Sequence, residues 1–135
     1  MKINREEIAK IILSHHPQTQ AIYLFGSFAT GQENEKSDVD LAVLLPHDES
    51  KKIPSFALSD VLFELSSLLK RDVDLLNLRK VSTVFQIQII DKGKLIFCAD
   101  RYAKEEFEML ATSFYIKLNE ERKGILEDIL KSPSR

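Results

Sequence analysis

An α/β or α+β sheet domain with a helical C-terminal tail is the fold class the sequence predicts. Short β-prone apolar runs alternate with segments of helical spacing in the order α-β-α-β-α-β, and helical spacing resumes over the stretch from about Tyr102 onward. Size sets a bound. With 135 residues and 44% apolar content, the chain can bury one real core and is too short for two ordinary domains. Residues 1–135 are therefore expected to form a single domain, with 101–131 as a helical tail.

The elements follow in order. Ile8, Ile11 and Ile12 keep the i, i+3, i+4 rule of a first helix, with Asn4 as N-cap, Glu7 at N3 and Pro17 as its end. Ala21 to Phe25 reads as a buried strand feeding a tight turn at Gly26-Ser27, where a short helix is expected to begin. Val39 to Leu45 reads as a second strand, closed by Pro46 and loaded at its start with Asp38 and Asp40. The loop from Pro46 to Pro54 is expected to be the mobile segment. Pro54 to Lys70 returns to helical spacing, with Leu58, Val61, Leu62, Leu65 and Leu69 on one stripe. Val73 to Leu78 reads as a third strand, Thr83 to Asp91 as a helix with Gly93 just past its end, and Leu95 to Phe97 as a further strand. In the tail, Phe107, Leu110, Ala111, Phe114 and Leu118 share a face, and Gly124 is expected to divide the tail into two helices.

Composition narrows the class of function. Lys and Arg number 19 against 21 Asp and Glu, a formal charge of −2, so no broad basic field exists to hold a nucleic-acid backbone. The single cysteine, Cys98, follows Leu95-Ile96-Phe97, and is expected to be a buried thiol of a reducing compartment, the cytoplasm. Charges in Met1 to Glu7 stand where a signal peptide needs an apolar stretch. No apolar run approaches the roughly 20 residues that span a bilayer, so no membrane association is expected.

The residues that carry chemistry are acids in apolar surroundings. Asp38 and Asp40 are two apart on a strand, so their side chains leave one face with Cα atoms about 6.6 Å apart. Two carboxylates there repel, and a hard divalent cation, Mg²⁺ first, is the natural compensation. Asp74 sits inside the next apolar strand, and three acids converge if the strands are neighbours. Upstream, Gly26-Ser27 opens a helix where glycine admits a phosphate and first-turn amides point at anions. A triphosphate held there would set its α-phosphorus beside the acids, an arrangement for nucleotidyl transfer. Taken singly, each piece has an ordinary reading: the acid pair as solvated charge at a strand start, Gly-Ser as a turn, Asp74 as an acid paired with Arg71 or Arg79. Their joint order carries the argument.

Gly26-Ser27-Phe28-Ala29-Thr30-Gly31, followed after ten intervening residues from Ser27 by Asp38-Val39-Asp40, resembles the Gly-Ser-x10-Asp-x-Asp signature of the DNA polymerase β-like nucleotidyltransferases. The resemblance spans roughly residues 20–78 by motif and the whole chain by size and element order. At this length the chain resembles the minimal nucleotidyltransferases, antitoxins paired with HEPN-domain ribonuclease toxins. That resemblance implies a small mixed sheet flanked by helices. It implies Asp38 and Asp40 as metal ligands, Asp74 as ligand and general base, and Gly26 and Ser27 on the triphosphate of ATP. It implies an Mg²⁺-dependent protein adenylyltransferase that transfers AMP to a hydroxyl of its HEPN toxin. The chain departs from the pattern at Thr30, where such proteins often carry Arg. Two rivals stand beside this reading: an antitoxin that neutralises its toxin by binding alone, and a transferase acting on a small molecule.

Other residues have plainer expectations. His15 and His16 suit the end of a helix dipole, and no Cys or His spacing suggests zinc. Lys51 and Lys52 read as a solvated loop, and Tyr23, Tyr102 and Tyr115 as packing. Met109, Tyr115 and Ile116 give the tail more apolar surface than one core face needs, for either extra core or a protein-binding surface.

Overall fold

The computed structural model describes residues 3–34 and 36–131. Met1 and Lys2, part of the N-terminal stretch read above, lie outside them. Helix α1 (Arg5–His15) leads into β1 (Ala21–Phe25), a single turn α2 (Ser27–Thr30) and β2 (Val39–Leu44). Helices α3 (His47–Lys52) and α4 (Asp60–Leu69) connect to β3 (Val73–Asn77), a 3₁₀ turn (Leu78–Lys80) and α5 (Thr83–Lys92). Strand β4 (Lys94–Cys98) and the long α6 (Arg101–Lys131) complete the described chain.

The strands form one mixed sheet in the order β3-β2-β1-β4. β1 runs antiparallel to both β2 and β4, while β2 and β3 are parallel. Side-chain alternation along the strands gives the sheet two buried faces. Ile22 and Leu24 of β1, with Val39, Leu41 and Val43 of β2, pack against Ile8 and Ile12 of α1 and Val61 and Leu65 of α4. Ala21 and Tyr23, with Ala42 and Leu44, pack on the other face against Ile89 of α5 and Phe107 of α6. The mixed sheet flanked by helices agrees with the expected fold class.

Local signals account for most boundaries. Asn4 Oδ1 accepts the Glu7 amide at 3.1 Å, Ser59 caps α4 through Leu62, and Ser82 caps α5 through Phe85. Several expectations are corrected. The Pro46–Pro54 segment is largely helix α3, with Asp48 and Glu49 in its first turn and Lys51 and Lys52 in its last, which matches the helix dipole. Buried Asn77 ties it down: its side chain accepts from Ser50 Oγ and donates to the Ser50 and Ile53 carbonyls. Residues 54–59 are not helical. Leu58 has φ 60 and is 84% exposed, so it leaves the expected stripe.

Gly124 does not divide the tail, because glycine inside a helix costs only about 1 kcal/mol and α6 runs on through it. Phe107 and Ala111 are buried, whereas Leu110, Phe114 and Leu118 are exposed, because little lies against α6 beyond its first turns. Tyr102 is 78% exposed rather than packed, and Cys98, at the end of edge strand β4, is an exposed free thiol. Tyr23 is buried, with its hydroxyl donating to Glu108 at 2.7 Å. Among the described residues no helix is long and apolar enough to cross a membrane.

Candidate active site

The acids meet because of strand register. In the parallel pair Asp40 lies opposite Asp74, so both side chains leave the same face, and Asp38, two residues before Asp40, follows them. This is the face of Ala42 and Leu44, which α5 and α6 cover farther along the strand. Asp38 and Asp74 are exposed and Asp40 is half-buried. Burial, then the charge of Asp74, then that of Asp38, push the Asp40 carboxyl above its ordinary range. Arg71 and Arg79, the cations near Asp74 in sequence, spend hydrogen bonds elsewhere. Arg71 donates to the carbonyls of Asn34 and Ser37 at 2.8 and 2.9 Å, and Arg79 to the Leu45 carbonyl and to Gln20.

The glycine-serine bend sits against this cluster. β1 and β2 pair Phe25 with Asp40, so the chain turns into α2 beside the Asp40 carboxylate. Gly26 has φ +72, and a Cβ there would overlap Asp40 Oδ2 and stand 3.1 Å from its Cγ. Only glycine fits both the backbone conformation and the space. The amides of Ser27 and Phe28 open α2 and have no carbonyl one turn back within it. Thr30, at the position where a cation is usual, turns its hydroxyl back to the carbonyls of Gly26 and Ser27 at 3.3 and 3.4 Å.

A hollow of about 480 Å³ opens beside the bend, lined by Gly26, Ser27, Thr30, Gln88, Lys92 and the edge-to-face pair Phe25 and Phe85. Sequence reasoning missed the α5 side of this hollow. Phe85, Gln88, Ile89 and Lys92 recur at helical spacing, a row that in a sequence reads as a core face. The role of Arg71 was missed as well. Its guanidinium stacks 5.0 Å from the Phe28 ring while it grips the loop that delivers Asp38, so it fixes α2 and that loop together.

Chemically, the acids are hard oxygen donors whose mutual repulsion a divalent cation relieves, and that donor set fits Mg²⁺. Among the described residues no three His, Cys, Asp or Glu side chains are drawn into a ready metal cage, as repulsion between like charges dictates.

A family model described as polymerase beta, nucleotidyltransferase matches residues 6–102, a span that holds all four strands, the bend and the three acids. The chain belongs to that nucleotidyltransferase family. It is similar to protein adenylyltransferase MntA of Shewanella oneidensis, 33% identical over 129 residues that cover 96% of this chain and 89% of that protein. It is also similar to protein adenylyltransferase MntA of Aphanizomenon flos-aquae, at 29% identity over 91% of this chain and 86% of that protein. Among solved structures, this nucleotidyltransferase resembles a chain of a toxin–antitoxin with AMP-PNP, with TM-score 0.73 and 32% identity over 95% of this chain and 99% of that one. It likewise resembles a chain of the tri-AMPylated Shewanella oneidensis HEPN toxin in complex with MNT antitoxin, with TM-score 0.65 and 30% identity over 93% and 95%.

Proposed function

We propose that this nucleotidyltransferase is a protein adenylyltransferase and antitoxin, which transfers AMP from ATP onto a hydroxyl of its cognate HEPN ribonuclease toxin and so neutralises it. The single observation that carries the reading is the pairing of Asp40 with Asp74 against Gly26. It puts acids suited to a divalent cation next to a bend suited to a phosphate. The similarity to two MntA adenylyltransferases and to chains of toxin–antitoxin structures, one with AMP-PNP and one with a tri-AMPylated toxin, supports the protein acceptor and the nucleotide donor. The whole chain acts as one domain in this reading, in the cytoplasm, and the exposed apolar surface of α6 suits a protein partner.

Asp38, Asp40 and Asp74 would hold Mg²⁺, which when bound would neutralise triphosphate charge and ease loss of the attacking hydroxyl's proton. Gly26 lets the triphosphate approach the backbone, and Ser27 adds a hydroxyl and an amide to it. Lys92, on the wall of the same hollow, supplies the cation that Thr30 does not. Phe25 and Phe85 offer aromatic surface to the adenine. Asp74 accepts the proton as the toxin hydroxyl oxygen bonds to the α-phosphorus. The bond to the departing pyrophosphate breaks in the same displacement.

Incubating the chain with its toxin, labelled ATP and Mg²⁺ tests this directly, and an unlabelled toxin would defeat it. A second reading, neutralisation by binding alone, has one observation in its favour: Thr30 offers no cation and spends its hydroxyl on its own turn. Asp38→Asn with Asp40→Asn separates the two, because a pure binder still protects cells and a transferase does not.

A further inference from the structure

A second hollow lies away from the acids, toward the far end of β2. It encloses about 190 Å³, with His47, Arg79 and Gln86 as its polar lining and Phe107, Leu110, Ala111 and Phe114 of α6 as its apolar one. The four apolar residues recur at i, i+3, i+4 and i+7, so they form one row of the helix. Arg79 reaches the carbonyl of Leu45, which lies about 16 Å from Asp40 along the strand direction at roughly 3.3 Å per residue. No residue assigned above to AMP transfer lines this space.

Arg79 is the unusual member of that lining. It is half-buried, and its guanidinium lies 5.5 Å from the Phe107 ring. It donates to the Leu45 carbonyl, to Gln20 Oε1 at 3.0 Å and, since a guanidinium has no lone pair to offer, to His47 Nε2 at 3.2 Å. None of these acceptors is a carboxylate, and among the described residues Arg79 has no acid within ion-pair distance. Burial pushes the guanidinium below its ordinary range, and the charge of exposed Glu106 offsets only part of that. A half-buried cation with no counter-charge of its own is a place for an external anion. One N–H on each terminal nitrogen is left over, which matches the two oxygens of a carboxylate.

Two further features indicate what carries that carboxylate. Gln86 donates its amide nitrogen to the Leu78 carbonyl at 2.9 Å, which leaves the amide oxygen to accept an N–H. The apolar row takes a hydrocarbon body, and it continues past the hollow as exposed Leu118, Ile125 and Ile129, a landing surface suited to a polypeptide rather than a metabolite. We propose that this hollow receives the C-terminal residue of a partner polypeptide, an apolar residue whose free carboxylate meets Arg79 and whose backbone N–H meets Gln86. Such a residue supplies three groups at once: the anion, the donor, and a side chain for Phe107 and Phe114. The inference goes beyond the adenylyltransferase reading and needs neither ATP nor the acids.

An NMR titration of the full isotope-labelled chain, without ATP or toxin, with acetyl-Gly-Gly-Phe and acetyl-Gly-Gly-Leu tests the pocket. The free-acid peptides are expected to give saturable shifts centred on Arg79, Gln86 and residues 107–114, and the C-terminal amides of the same peptides to bind about tenfold more weakly or worse. Phe114→Ser, at a position 60% exposed, is expected to keep the fold and to weaken binding about three- to tenfold. 3-Phenylpropanoate has the ring and the carboxylate but no N–H, and is expected to bind at least about threefold more weakly than the peptide ending in Phe. Equal binding of acid and amide, full affinity in Phe114→Ser, no saturable shift at millimolar peptide, or shifts centred on Gly26 and Asp40 overturn the pocket. Phenylpropanoate binding as tightly as the peptide overturns the polypeptide terminus. Because no ATP is present, these results leave the adenylyltransferase reading untouched, and an unlabelled toxin in the transfer assay leaves the pocket standing.

Discussion

At the scale of single residues, the site is a contest between like charges and the space that admits them. Gly26 is the sharpest case, because an added methyl group meets the Asp40 carboxylate and the backbone is already at φ +72. Gly26→Ala is expected to cut the transfer rate by about a hundredfold or more through displacement of that carboxylate, measured as kcat with ATP saturating. Asp40 carries the opposite tension. Its carboxyl is pushed above the ordinary range in the folded chain, so it holds a proton more readily there than in the unfolded chain. Its contribution to stability is complete below the unfolded value and is lost as pH rises through the folded one. Asp40→Asn, neutral at every pH, is therefore expected to melt higher than wild type near neutrality in the presence of a chelator while transferring no AMP. Calorimetry with the transfer assay reads both. Lys92→Met is expected to raise KM for ATP roughly three- to tenfold with little change in kcat, as loss of one exposed phosphate contact predicts. An unchanged KM would remove Lys92 from the donor site.

Elements show where sequence patterns mislead and where they hold. Asn4 at the start of α1 and the strand spacing of Asp38 and Asp40 were legible, because capping and period-two alternation are local. Leu58 was not. It fits the apolar stripe of α4 by spacing, yet it lies before the Ser59 cap with a left-handed backbone that spacing does not register. That backbone yields a prediction: Leu58→Gly, at an exposed position with φ 60, is expected to stabilise the chain by roughly 0.5–1 kcal/mol in denaturant titration. Helix α3 reads as a loop in the sequence because a short polar stretch between Pro46 and Pro54 looks like a turn. Its anchor, buried Asn77, is far along the chain. Arg71 belongs to this scale too, since it joins α2 to the Asp38 loop. Arg71→Ala is expected to cost about 1–3 kcal/mol of stability and to lower kcat more than it raises KM for ATP.

For the molecule as a whole, the sheet order sets what sequence alone could reach. That Asp74 would join the earlier pair depended on β2 and β3 being neighbours, which apolar runs do not state and the family resemblance did. The α5 wall with Phe85 and Lys92 depended on how a helix packs over the sheet, and no local pattern marked it. How much of α6 is buried stayed open in the sequence, because helical spacing shows that a face exists but not what covers it. Since Ile125, Leu126, Ile129 and Leu130 are all exposed, a chain ending at Leu118 is expected to melt within a few degrees of wild type. Gel filtration with the toxin then reads whether the complex forms without those residues. The parallel pairing of β2 with β3 has one more consequence. Parallel neighbours cannot be joined by a hairpin, so the chain must finish the crossover through α4 before Asp40 and Asp74 face each other. A copy still emerging from the ribosome thus holds the two halves of its chemistry apart until β3 has been made and paired with β2.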